Sequence, residues 1–264
     1  MPEVDLVLIL MLACVALLAG FFDAIAGGGG LITLPALMIA GIDPVTAIAT
    51  NKVQAASASV SATAAFAKKG MIEWRSGLPM ALTAFIGGAA GALALSSVPK
   101  GWLQALAPVL LILVAAYFAF SPKLDNEQRR ARFSASIFCI TLVPLIAFYD
   151  GVFGPGTGSF FMVAFVVLMG QGLLRAVSNS KLLNASSNLG ALVVFSMTGA
   201  IIVPIALAMA VAAVVGAQLG ARCALRYGQR LIKPLLVSVC CLMAGKLLIT
   251  PDNPLNQFLR HYFS

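Results

Sequence analysis

The chain has 264 residues, 61% of them hydrophobic and only 10% charged, with a formal net charge of +8 and a mean hydropathy of +1.00. One soluble core cannot hide that much apolar surface, so the composition excludes a soluble globular protein and points to lipid as the solvent. The positive surplus sits in short clusters between apolar runs, the distribution that orients a membrane protein and not one that binds nucleic acid.

Hydrocarbon offers no partner to backbone polar groups, and period-two alternation is absent. The expected fold is therefore all-α and polytopic, not a membrane barrel. Ten apolar segments can be drawn in chain order: roughly 4–24, 30–42, 45–67, 77–97, 102–121, 134–152, 158–170, 174–197, 200–221 and 231–249. The first follows an acidic head, Glu3 and Asp5, where a secretory leader would be basic, and is expected to stay as a span. The second and seventh are short against the ~20 residues of a usual span. Each is completed by the following turn or is re-entrant, which gives eight to ten transmembrane helices.

Between the fifth and sixth segments lies a polar linker, 122–133, carrying Lys123, Arg129, Arg130 and Arg132. It divides a first repeat, 1–121, from a second, 134–250, with a tail at 251–264. If all ten segments cross and the N-terminus is outside, twelve of the 17 basic residues gather on the cytoplasmic side, as the positive-inside rule requires. Five crossings per half is an odd number, so the two halves face opposite ways, as inverted repeats do.

The repeat is written in the residues themselves. Phe22-Asp23-Ala24-Ile25-Ala26-Gly27-Gly28-Gly29-Gly30 returns about 127 positions later as Tyr149-Asp150-Gly151-Val152-Phe153-Gly154-Pro155-Gly156-Thr157-Gly158. Thr50-Asn51-Lys52 returns as Asn179-Ser180-Lys181, and the pair Gly87/Gly91 as Gly216/Gly220. The last two pairs have the spacing of close helix packing.

Four consecutive glycines in a helix interior cost about 1 kcal/mol each relative to alanine, so Gly27, Gly28, Gly29 and Gly30 are expected to interrupt the helix. Gly154, Gly156, Thr157 and Gly158 do the same in the second half. Each break is followed by a helix N-terminus, and two such termini converging would form a donor-rich cradle for an anion. The plainer alternative is an interfacial turn or tight helix packing.

Asp23 and Asp150 stand inside apolar runs, where a carboxylate is costly and points to function. The two roles open to them are proton coupling and a hydrogen bond to backbone freed by the adjacent break. Asn51, Lys52 and Gln54 in one half, with Ser180, Lys181, Asn184 and Asn188 in the other, place amides and hydroxyls around a lysine. That set suits an oxyanion; the alternative is a lysine snorkelling to the interface. The five cysteines form no CxxC pair and the one histidine, His261, lies in the tail, so neither a metal nor another cofactor is expected. The phosphate loop, the HExxH motif and a serine elbow are missing, which leaves a secondary carrier and not an enzyme.

The stretch Gly20–Pro35 with Ala49-Thr50-Asn51-Lys52, and again Phe148–Phe160 with Lys181–Asn188, resembles the TauE/SafE sulfite exporter family, nearest its YfcA-like branch of probable membrane transporters. The resemblance covers nearly the whole chain. It implies a multi-pass inner-membrane permease for sulfite, a sulfonate or another organosulfur anion, possessing seven to nine helices as usually drawn. A passive anion channel and a non-transporting membrane partner protein are the competing classes.

Overall fold

The computed structural model describes residues 5–95 and 130–228, with isolated positions between 112 and 128 and between 234 and 245. The expected segments 102–121 and 231–249, most of the linker and the tail lie outside the described residues. Within them the chain is helical, with no strand. In order the helices are α1 (Leu6–Ala26), α2 (Gly29–Ile39), α3 (Pro44–Ala67), α4 (Trp74–Ala94), α5 (Ala135–Ile140), α6 (Leu142–Val152), α7 (Thr157–Val167), α8 (Leu173–Thr198) and α9 (Val203–Tyr227).

Among the described residues, four stretches are long and apolar enough to cross a membrane: α1, α4, α5 with α6, and α9. Their outer faces are apolar and exposed, as at Leu10, Leu18, Leu82, Ile86, Leu93, Leu145, Leu207 and Val211. Such faces belong against lipid. Helices α3 and α8, with 24 and 26 residues, are long enough to cross, yet they carry the buried lysines, amides and hydroxyls. They form the centre of the bundle, shielded by the apolar helices.

The span expected over 134–152 is one apolar run but two helices. The chain kinks at Thr141 (φ −114°, ψ −74°), because Pro144 has no N–H to give to the carbonyl of Ile140 and its ring crowds that carbonyl. The Thr141 hydroxyl turns back to the carbonyl of Ile137 at 2.6 Å. The short segments are short helices: α2 and α7 have 11 residues each, about 16 Å at the α-helical rise. Neither reaches across a hydrocarbon core of about 30 Å by itself.

Glycines set the helix packing across the two halves. A Cβ on Gly216 or Gly220 would lie 2.0 and 2.3 Å from the carbonyl oxygens of Leu17 and Phe21 on α1, and one on Gly87 or Gly91 would lie 2.5 and 2.1 Å from those of Pro144 and Phe148 on α6. Backbones this close leave room only for glycine. The contacts also give direction: α9 runs parallel to α1, and α4 parallel to α6. Each half thus lays its fourth helical segment along the first segment of the other half.

Candidate functional site

The two helix breaks meet at the centre of the molecule. Helix α1 ends on Gly27, left-handed at φ +81°, whose N–H bonds the carbonyl of Asp23. Helix α2 starts only two residues later, so Gly29 and Gly30 belong to its first turn and the break is confined to Gly27 and Gly28. In the second half the break spans Phe153 to Gly156, with Gly154 at φ +95° and Gly156 at φ +82°, while Thr157 and Gly158 open α7. Both breaks are narrower than the glycine runs suggest. Left-handed glycines, one in the first break and two in the second, turn the chain, and glycine at the second helical position then lets another backbone approach.

That approach is close. A Cβ on Gly27 would sit 2.4 Å from the carbonyl carbon of Gly158, and one on Gly158 would sit 2.6 Å from the Cα of Gly27. The Ser159 hydroxyl donates to the carbonyl of Ala26 at 2.6 Å, so α7 satisfies an orphan acceptor at the C-terminus of α1. Tyr149 Oη donates to the carbonyl of Pro155 at 2.9 Å and braces the second break.

The buried charges pair across the halves. Lys52 Nζ donates to Asp150 Oδ1 at 2.9 Å, to Asn188 Oδ1 at 3.1 Å and to the backbone carbonyl of Asp150, which uses all three of its protons. Lys181 Nζ donates to Asp23 Oδ2 at 3.0 Å. The lysines are 1% and 0% exposed, so neither snorkels to an interface. Asp150 also accepts from the Ser187 hydroxyl through Oδ2, and Asp23 accepts from the N–H of Gly29 at 3.1 Å through Oδ1. Asp23 therefore fills the backbone-bonding role and an ion pair at once.

A small polar cavity of about 20 Å³ opens between the breaks, room for one or two water molecules. Of the residues singled out from the sequence, Asp23, Gly27, Gly30, Asn51, Lys52, Asp150, Gly154, Gly156, Gly158, Asn184 and Asn188 line it, joined by Ala55. The N–H groups of Gly30 and Gly158, second residues of α2 and α7, have no acceptor among the described residues. Asn51 is held by Thr33, 2.5 Å from its Oδ1. Asn184 Oδ1 accepts from Asn188 Nδ2 at 2.6 Å.

The remaining candidates face elsewhere. Thr157 caps its own turn through the carbonyl of Gly154, and Ser180 bonds back to Val177. Gly28 and Gly29 are not among the lining residues, and Gln54 is buried with its Oε1 unpartnered among the described residues. Lys181 touches the cavity only through Asp23. Thr33 and Ser159 are the contributors that the motif comparison did not select, since neither has a polar counterpart in the other repeat to draw attention to it.

A family model described as Sulfite exporter TauE/SafE matches residues 12–247. The chain is similar to Probable membrane transporter protein ORF9 of a Sinorhizobium species, 46% identical over 99% of this chain and 100% of that protein. It is similar to Probable membrane transporter protein YfcA of Escherichia coli K12, 44% identical over 89% of this chain and 87% of that protein. A probable membrane transporter protein of Haemophilus influenzae is 37% identical over 93% and 96% of the two chains. No solved structure matches the chain.

Proposed function

Because the chain belongs to the Sulfite exporter TauE/SafE family, we propose that it is a secondary transporter of a small anion, sulfite or a sulfonate, across the bacterial inner membrane. The observation that carries this reading is Lys52, buried beside a polar cavity also lined by Gly30 and Gly158, whose N–H groups at two helix N-termini have no acceptor among the described residues. A full positive charge with oriented N–H donors is the recognition chemistry of an oxyanion.

The cavity has room for one or two waters, so an anion with several oxygens needs the site to widen. That favours alternating access over an open anion channel. The matching contacts of α1 with α9 and of α4 with α6 fit two repeats whose corresponding helices exchange partners about a shared centre. The site holds two lysines and two aspartates and is neutral as it stands, so an arriving anion brings an unbalanced charge. A proton taken up with it restores neutrality.

The transport test uses purified protein in liposomes. An inward proton gradient is expected to drive sulfite or methanesulfonate uptake above the outside concentration, and a protonophore to collapse it. Flux that only runs downhill would make the protein a channel; flux equal to protein-free liposomes would remove transport of these anions altogether. For topology, tags at the N-terminus and after Ser264 should both be reached from outside, and a tag within 122–132 only from the cytoplasm. A cytoplasmic C-terminus would rule out ten crossings.

A further inference from the structure

The two ion pairs are equivalent in the repeat but not in their surroundings. Asp150 Oδ2 accepts from Ser187 Oγ, and the same hydroxyl lies 3.1 Å from the carbonyl of Asn184. A hydroxyl has one proton and two lone pairs. It can donate to an ionised Asp150, or turn its proton to Asn184 and accept from a protonated Asp150. Both states of the carboxyl are satisfied without moving a helix. At the offset of the repeat, Ser187 corresponds to Ala58, so the first half has no such group.

The lysines differ in the same sense. If Asp150 gains a proton, Lys52 keeps the carbonyl of Asp150 and Asn188 Oδ1 as acceptors. It also lines the cavity, where an anion can replace the lost charge. If Asp23 gains a proton, Lys181 is left fully buried with no other acceptor among the described residues. A buried charge stranded in this way is strongly unfavourable.

We infer that Asp150, and not its repeat counterpart Asp23, takes up the proton that accompanies the substrate, with Ser187 as the positioning residue that accommodates either state. This rests on the transporter reading above and deepens it. One proton adds to Asp150 Oδ2 to form an O–H directed at Ser187 Oγ, the Ser187 proton rotates to the carbonyl of Asn184, and one monovalent oxyanion takes the place of the carboxylate at Lys52. The charge in the site is unchanged. Asp23–Lys181 stays ionised throughout as a fixed tie between α1 and α8. The other groups around Asp150 do not compete: α4 packs glycine and alanine against the neighbouring Gly151, α8 brings Ser187, with Asn184 and Asn188 lining the same cavity, and Tyr149 is engaged with Pro155.

Infrared difference spectra of the purified protein between neutral and acidic pH test this without any substrate. The wild type should show the C=O band of a buried carboxylic acid, absent in Asp150→Asn and retained in Asp23→Asn. In Ser187→Ala the band should move to higher frequency, because the acid loses its acceptor; this variant keeps the test open if Asp150→Asn does not fold. A band that survives Asp150→Asn, vanishes only in Asp23→Asn, is missing from the wild type or keeps its frequency in Ser187→Ala would overturn the assignment. In liposomes, methanesulfonate, which carries no proton of its own, should enter with one proton each. A proton-free or charge-moving flux would also overturn it. Failure of methanesulfonate to move, with the infrared pattern as expected, would count against the transporter reading and leave Asp150 as the protonated group.

Discussion

Lys52→Gln is expected to weaken oxyanion binding about ten- to a hundredfold and destabilise the protein, and the double variant Lys52→Gln/Asp150→Asn to recover stability without recovering binding. The ammonium is fully buried and makes three hydrogen bonds, two of them to Asp150. Removing it leaves an uncompensated buried carboxylate, worth about 3–5 kcal/mol. Neutralising Asp150 as well removes that penalty. The substrate contact is a separate matter, because glutamine keeps donors but no charge. Loss of a charge-assisted bond weakens binding by roughly 1.5–3 kcal/mol, about ten- to a hundredfold. Thermal unfolding in detergent reads the first effect, and calorimetric titration with sulfite the second. Wild-type affinity in Lys52→Gln would show that the cavity binds through backbone donors alone. Lys181→Gln should cost stability in the same way but affect binding less, since its Nζ meets Asp23 and does not line the cavity.

Gly27→Ala is expected to lose more stability than Gly41→Ala, although both glycines are left-handed, at φ +81° and +80°. The conformational cost of alanine there is common to the two, about 1–2 kcal/mol. At Gly41 nothing lies within 4 Å of the new methyl group, whereas at Gly27 the methyl falls 2.4 Å from backbone atoms of Gly158 and Ser159. Backbone from the other half cannot turn aside as a side chain can, so the two breaks must separate. The hydrogen bond from Ser159 to Ala26 and the cavity would be lost with them. The difference between the two variants in thermal unfolding isolates the contact. Equal losses would mean that the breaks do not press on each other.

Much of this architecture is legible in the sequence because it rests on local physics. Apolar runs of span length, with most of the charge placed between them, read as membrane helices. Glycine runs within them mark breaks through backbone propensity alone. The repeat singles out Asp23 with Asp150 and Lys52 with Lys181, since buried charge stands out in any hydrophobic context. The kink at Thr141 is legible in principle from Pro144, but an unbroken apolar run hides it. The extent of each break is not legible, because glycine permits both a left-handed turn and the first turn of a helix. Spacing puts Gln54 and Ser180 close to the lysines, yet their direction depends on how α3 and α8 roll against their neighbours.

By itself the sequence determined the solvent, the helical class, the twofold repetition and the set of polar residues that have to be explained, since hydropathy and backbone propensity act over a few residues. Only the tertiary structure decided how those residues pair. Lys52 meets Asp150, 98 positions away, and Lys181 meets Asp23, 158 positions away. Nothing in the spacing prefers these matches over pairing within a half. The choice is made by the close crossing of the two breaks, where glycine lets backbone touch backbone and brings each lysine to the carboxylate of the opposite repeat. The same crossing sets Ser187 beside Asp150 and leaves Ala58 in the matching place, and so makes two similar halves chemically unequal.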